Sequence, residues 1–469
     1  MGTFGVIVST RGFFPAHLAR TGRKEIIDKL HGMGHEAVVL SETDTGYGAV
    51  ETRGDARICA KLFRDNRDRI DGIIVILPNF GDEVGVVSAI SLSELNVPVL
   101  VQACDDDLDR IDVNNRRDAF CGKLSVCNNM RQYGIRFTDT EQHTCSIGSA
   151  EFTGDVEFFA RVCNVVKGLK KSRIGAIGTR PAPFQTLRYS EKLLQASGIS
   201  TCVVDLSEII FAAQNAEVTQ EVLDRAAEIK TYGKVPEYIK EDKIIRQAKL
   251  GLAIENWIRR NECNAAAVQC WDSLEINYGC APCVTMSMLG EKGIPCACEM
   301  DVTGALTMYA MLLASGKPAA YLDWNNNYGD DRNKCINTHC SSFPKSFFAQ
   351  DFEISNLDVL GNSLGAEKCF GACKANVAAG PMTYAKISTD DITGKIKVYV
   401  GEGEFTGERA EIAGGAAVCS VPELRKLMRY ISGNGFEHHV AMNRSSCAKV
   451  LEEALGNYFG WEVYRHGIE

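Results

Sequence analysis

The decapeptide 71-DGIIVILPNF-80 carries an uninterrupted apolar run from Gly72 to Leu77, opened by an acidic residue and closed by Pro78-Asn79. Its length suits a strand, and its isoleucines and valine favour a pleated backbone. A strand with one wet face alternates apolar and polar residues. A run without alternation is buried on both faces, as happens when helices cover both sides of a parallel sheet. The flanking segments supply those helices: 53-RGDARICAKLFRDNRDRI-70 ahead and 84-VGVVSAISLSEL-95 behind both have helical apolar spacing. Further out, FGVIVST, EAVVL and NVPVLVQA read as strands, and 20-RTGRKEIIDKLHGMG-34 as a helix ending in glycine. This alternation predicts a doubly wound α/β domain.

A second cycle begins near Lys171. SRIGAIGTR reads as a strand with a glycine turn, 185-QTLRYSEKLLQASG-198 as a helix, STCVVDL as a strand and 215-NAEVTQEVLDRAAEIKTYG-233 as a solvent-facing helix. AAAVQCW, the helix 285-TMSMLGEKG-293 and the strand IPCACEMD follow. From about Asp351 short alternating segments such as KIKVYVGEGEFTGERAEIAGG predict antiparallel β structure, ending in a helix over 445–460 and a strand WEVYR. The expected architecture is α/β, with two doubly wound parallel-sheet domains over residues 1–168 and 169–345 and a smaller β-rich C-terminal domain over 346–469.

Composition narrows the function. A net charge of -9 argues against a nucleic-acid partner, which needs clustered Lys and Arg. No apolar run reaches membrane-spanning length, and the N-terminus lacks a basic leader with a cleavage site, which reads as a cytoplasmic protein. The 19 cysteines are scattered without a repeating framework and read as reduced, buried thiols. Cys280 and Cys283 have metal or redox spacing but no second such pair at zinc-site distance. Gly175 and Gly178 follow a strand, yet no complete dinucleotide fingerprint or P-loop occurs.

Candidate chemistry centres on 298-CEMDVTGALT-307 and 319-AAYLDWNNN-327, two apolar strands that end in carboxylates, Glu299 and Asp323. A buried carboxylate is costly unless something cationic or hydrogen-bonding holds it. If the two strands are parallel neighbours, both acids reach one rim, where open α/β sheets bind ligands. Asp301 is placed to cap the helix that follows. Histidine is scarce, and the pair His438-His439 beside a glycine turn, with His339 in CINTHCSSFP, completes a mixed oxygen and nitrogen donor set suited to Mn²⁺ or a similar divalent ion. Against this stand plainer readings: Asp323 as a turn residue, Glu299 in a structural ion pair, and a surface histidine.

The segments 11-RGFFPAHLA-19, 76-ILPNFGDE-83, 113-VNNRRDAFCGKLSVCNNMRQYG-134, 173-RIGAIGTRPAPF-184, CEMDVTGALT, YLDW, THCSSFP and GNGFEHHVAM resemble the L-fucose and L-arabinose isomerase superfamily, on its shorter fucose-isomerase-like branch. The resemblance implies two α/β domains and a smaller β-rich domain, and the interconversion of an aldose and a ketose through an enediol. It implies Mn²⁺ or another divalent metal on Glu299, Asp323 and His439, the last ambiguous by one residue with His438. Glu299 and Asp323 would then be the catalytic acid/base pair. Arg11, Arg116, Arg117, Trp271, His339 and His438 are candidates for contact with the sugar. Family members assemble as homo-oligomers, often hexamers, in which one subunit helps close a neighbour's site. The short chain leaves the sugar open among pentoses, 6-deoxyhexoses and 6-substituted hexoses such as sulfoquinovose, whose anionic substituent an arginine would grip bidentately. A metal-dependent aldolase or epimerase would use the same side chains, and a sugar-binding protein would share the two-domain cleft.

Overall fold

A computed structural model describes residues 2–467. The chain divides into two compact units: residues up to Lys167 together with Asn457–Gly460, and Gly168–Gly456 together with the segment from Trp461 onward. Among the described residues no helix is long and apolar enough to cross a membrane.

The first unit is built on β1 (Thr3–Val8), β2 (Glu36–Val39), β3 (Gly72–Leu77), β4 (Val99–Ala103) and β5 (Thr138–Asp139), all parallel in the order β2-β1-β3-β4-β5. The central strand β3 is the apolar run of the opening decapeptide. Ile73, Val75 and Leu77 point into one core with Phe63 and Val126, while Ile74 and Ile76 point into another with Phe152 and Phe159. Each such side chain contributes about 1.5–3 kcal/mol by leaving water, and burial on both faces removes any need for alternation. Tyr458, from the returning C-terminal segment, anchors this unit through its hydroxyl, 2.8 Å from Thr138 Oγ1.

The second unit holds two sheets. The smaller, in the order β7-β6-β8-β9, is parallel throughout: β6 (Arg173–Ile177), β7 (Ser200–Val204), β8 (Ala265–Val268) and β9 (Cys296–Ala297). The larger sheet has nine strands: β10 (Ala319–Tyr328), β11 (Asp331–His339), β12 (Glu353–Asn356), β13 (Phe370–Asn376), β14 (Gly380–Asp390), β15 (Lys395–Phe405), β16 (Gly415–Ser420), β17 (His439–Asn443) and β18 (Glu462–Arg465). Six of these close on themselves by antiparallel pairing, around the ring β16-β11-β10-β17-β14-β15 and back to β16. Closure pairs both sides of each of these six strands, and β12 and β18 remain as the edges of the sheet. Leu322, Tyr384, Tyr399, Phe405, Cys419 and Met442 belong to one buried cluster of this sheet.

The fold class agrees with the reading of the sequence: two parallel α/β sheets and a β-rich C-terminal region. The parallel pairing expected between the Glu299 and Asp323 strands does not form. β10 runs antiparallel to both β11 and β17 and opens the nine-stranded sheet, so that sheet begins at Ala319. An apolar run names a strand but not its partner, and β10 gains two long antiparallel neighbours where β9, only two residues long, offers little to pair with.

Candidate metal centre

Two loci of the second unit build the centre. The first is the chain leaving β9, where Glu299 (φ 49°) and Met300 (φ 60°) are both left-handed. Side chains there cost about 1–3 kcal/mol each and persist only where surrounding bonds hold them. Here Met300 N donates to Val268 O at 3.2 Å and Asp301 N to Cys298 O at 3.0 Å. Asp301 then caps the helix Val302–Ser315, its Oδ1 accepting from Gly304 N at 2.7 Å and from Thr303 Oγ1 at 2.9 Å. This is the cap expected from the sequence. Gly304 is needed for a further reason, because a Cβ there would lie 2.4 Å from Tyr321 Cε2.

The second locus is the pair β10 and β17, in which Asp323 lies directly opposite His439. Tyr321 is two residues from Asp323 and shares its face of the strand. The tight kink therefore brings Glu299 against the Tyr321–Asp323–His439 face. His439 Nε2 stands 3.6 Å from Glu299 Oε2 and 3.3 Å from Asp323 Oδ1. His339, at the end of β11, puts its Nε2 3.3 Å from the same Glu299 oxygen. Donor atoms of Asp323, His339 and His439 all lie within 4.8 Å of one another. Glu299, His339 and His439 are buried, and Asp323 is about a quarter exposed.

Glu299 Oε2 and Asp323 Oδ1 are buried without a hydrogen-bond donor. Orphaned carboxylate oxygens aimed at imidazole nitrogens are what a hard-to-borderline divalent cation requires, so the residues fit such an ion. Of the three expected ligands, Asp323 and His439 fall in one group of mutually close donors together with His339, and Glu299 approaches it through its contacts with His339 and His439.

The electrostatics agree. Burial opposes charge on Glu299, yet the imidazoles of His339 and His439 outweigh it and hold the carboxyl below its ordinary value. Burial likewise opposes charge on His339, but Glu299 and Asp323 drive its basicity well above the usual range. His438 is shifted down, by burial and then by the neighbouring His439.

A layer behind the centre was not read from the sequence. Tyr321 Oη lies 2.6 Å from His439 Nδ1 and donates to Asp301 Oδ2, which also pairs with the fully buried ammonium of Lys386. Burial works against the Asp301 anion, but Lys386 and His439 hold its carboxyl well below the usual range. Two signals were legible in retrospect: Tyr321 shares the strand parity of Asp323, and Lys386 is a lone cation in the apolar run of β14.

The other candidates divide. His438, with its side chain 45% exposed, reaches only to 4.0 Å from Asp323 Oδ1. Its ring stacks on Phe184 at 6.3 Å, and Phe184 meets Trp271 edge-on at 5.5 Å, so His438, Phe184 and Trp271 form an aromatic wall beside the centre. Phe184 was not singled out from the sequence. Arg11, Arg116 and Arg117 belong to the first unit and are engaged there. Arg11 pairs with Glu83 and lies over the Phe80 ring at 4.4 Å, Arg116 pairs with Asp118 at 2.6 Å, and Arg117 Nη1 donates to Pro78 O at 2.7 Å.

Comparison with known proteins gives the architecture its relatives. Residues 5–170 match the family described as fucose/sulfoquinovose isomerase, N-terminal domain, and residues 337–466 match L-fucose isomerase, C-terminal domain. A sulfoquinovose isomerase of Alkalicoccus urumqiensis is 27% identical over 312 residues, which is 65% of this chain and 67% of the relative. One of Priestia aryabhattai is 25% identical over 312 residues, 64% of this chain and 66% of the relative. One of Clostridium sp. (strain MSTE9) is 26% identical over 215 residues, 44% of this chain and 46% of the relative. The longest of these matches thus span about two thirds of either protein. The chain thus matches the N-terminal domain of the fucose/sulfoquinovose isomerases and the C-terminal domain of the L-fucose isomerases, and is similar to the fucose isomerase-like superfamily.

Proposed function

We propose that the protein is an aldose-ketose isomerase that acts on a monosaccharide through an enediol, with Mn²⁺ or another divalent ion held by Glu299, Asp323 and His439. The observation that carries this reading is the convergence of two orphaned carboxylate oxygens, on Glu299 and Asp323, upon His439 Nε2. Its relatives' names favour a 6-substituted hexose of the sulfoquinovose type as substrate, ahead of pentoses and 6-deoxyhexoses.

When bound, the ion supplies Lewis-acid stabilisation of the negative charge that develops on the sugar oxygens. The chain's own residues do the rest. Glu299 takes the proton from C2 and Asp323 serves with it as the acid/base pair that returns a proton to C1, while the O2 hydroxyl gives up its proton and O1 gains one. Tyr321 fixes the Nδ1 side of His439, leaving the Nε2 lone pair toward the carboxylates. The buried floor limits water around the reacting carbons. His339 and His438 contact sugar hydroxyls, and Trp271 with Phe184 offers an apolar ring face. Arg11, Arg116 and Arg117 meet the anionic substituent from a neighbouring subunit of a homo-oligomer, a hexamer in this reading, located in the cytoplasm.

The test is a screen of metal-stripped protein, with and without added Mn²⁺, against sulfoquinovose, pentoses and 6-deoxyhexoses, following ketose. Mn²⁺-dependent ketose from sulfoquinovose is the expected result. Metal binding with carbon-carbon cleavage, epimer formation or no product from any sugar would sink the isomerase reading.

A further inference from the structure

Glu299 has two sides. Its Oε2 faces the imidazoles, whereas its Oε1 faces sulfur, 3.6 Å from Cys270 Sγ. Cys270 follows β8 and Cys298 follows β9, and these two strands are parallel neighbours, so both thiols emerge at the same end of the sheet. The Cys298 thiol is completely buried, 3.7 Å from Ser342 Oγ, and Cys270 is only 3% exposed. Donor atoms of Cys270, Cys298 and Glu299 all lie within 4.8 Å of one another. A tetrahedral zinc with sulfur at about 2.3 Å sets its sulfurs about 3.8 Å apart, so the trio needs to contract by no more than about an ångström. Glu299 N already donates to Cys270 Sγ at 3.4 Å, which fixes that sulfur against the Glu299 turn. Cys340, grouped within the same span with Glu299 and His339, stands at the edge with a further thiol.

We propose that Cys270, Cys298 and Glu299 Oε1 form a second metal site, selective for thiophilic dications such as Zn²⁺ and Cd²⁺. It lies back to back with the oxygen and nitrogen centre and shares Glu299 with it. Binding forms two metal-sulfur bonds as two S–H protons leave to solvent, and no electrons change hands. Soft thiolates favour Zn²⁺ and Cd²⁺ over Mn²⁺, so the two sides of one carboxylate sort metals by chemistry. Occupation commits Glu299 to the sulfur side and stops turnover. That consequence rests on the proposed isomerase role of Glu299, whereas the site itself does not.

The test is a Cd²⁺ titration of the metal-free, full-length protein without sugar, reading the ultraviolet charge-transfer absorbance of cadmium thiolate. One tight Cd²⁺ per chain is expected, with Mn²⁺ producing no band. Cys270→Ser and Cys298→Ser should each weaken that binding by more than the roughly 10- to 100-fold that loss of an outer partner costs. Cys121→Ser, which removes an exposed thiol, should change nothing. An unchanged band in Cys298→Ser would overturn the proposal. If a serine variant fails to fold, cadmium-edge X-ray absorption of the wild type decides: two sulfur ligands support the site, and a shell of oxygen and nitrogen alone refutes it. Because the band is read without substrate, a failed isomerase assay leaves this result standing, and the inhibitory step is read separately as loss of ketose formation on adding Zn²⁺.

Discussion

The hydroxyl of Tyr321 sits 2.6 Å from His439 Nδ1 and donates its own proton to Asp301, so the imidazole has one nitrogen anchored and the other turned toward Glu299 and Asp323. Metal-binding histidines depend on such an outer partner for tautomer and orientation. Tyr321→Phe keeps the ring that fills the space against Gly304 and removes only the hydroxyl. Mn²⁺ affinity, measured by calorimetry or electron paramagnetic resonance, should fall by about 10- to 100-fold while the circular dichroism spectrum is retained. Unchanged affinity would show that the hydroxyl does not orient His439.

Glu299→Gln keeps shape and removes charge. Turnover should drop by at least about 10²-fold, the lower end of what a positioned acid/base group contributes, with the fold intact. A variant that kept full activity with Mn²⁺ would remove Glu299 from the proton transfer.

Lys386 and Asp301 are both completely buried and paired, so removing one partner strands a charge. Lys386→Met should destabilise the second unit by about 3–5 kcal/mol, and Lys386→Met combined with Asp301→Asn should recover part of that loss, read by urea unfolding. The pair also sets an acid limit. The Asp301 carboxyl is held well below 3.8 in the folded chain, so its contribution is complete above the unfolded value and is lost as the pH falls through the depressed one. A double variant less stable than Lys386→Met would refute the stranded-charge account.

Glu275 shows the opposite sign. Both its oxygens are buried without a hydrogen-bond partner, and burial pushes its carboxyl up to about 8. Between its ordinary value of 4.5 and about 8 the folded chain keeps a proton that the unfolded chain releases, so raising the pH favours unfolding. The slope approaches about 1.4 kcal/mol per pH unit over that window. Glu275→Gln should flatten the dependence, which unfolding curves at pH 5 and pH 8 will show. Identical slopes in wild type and variant would mean that Glu275 is ionised or solvated.

Gly304→Ala adds a methyl where Tyr321 Cε2 would be 2.4 Å away. Overpacking of this kind costs about 1–3 kcal/mol and should also displace Tyr321, lowering Mn²⁺ affinity together with thermal stability. A stable variant with full affinity would show that the ring has room to move.

The sequence by itself determined most of the strands and named the candidate side chains of the site. The unalternating run of β3 named a strand buried on both faces, because apolar periodicity is a local property of the chain. Asp301 was legible as a helix cap, since its partner Gly304 lies three residues on. The scarcity of histidine drew attention to His339, His438 and His439. What lies between distant segments was decided only by the tertiary structure. The partner of β10 depends on a competition between a two-residue β9 and two long antiparallel neighbours, and no local pattern encodes its outcome. The choice of His439 over its neighbour for the buried position follows from its register opposite Asp323, and a shift of one residue would exchange the two. The left-handed turn at Glu299 and Met300, the Tyr321–Asp301–Lys386 layer and the thiols behind Glu299 likewise exist only once separate strands pack around one kink. Hydrogen bonds and charge pairs between residues tens of positions apart have no periodicity to read, because the energy that selects them is released only on burial.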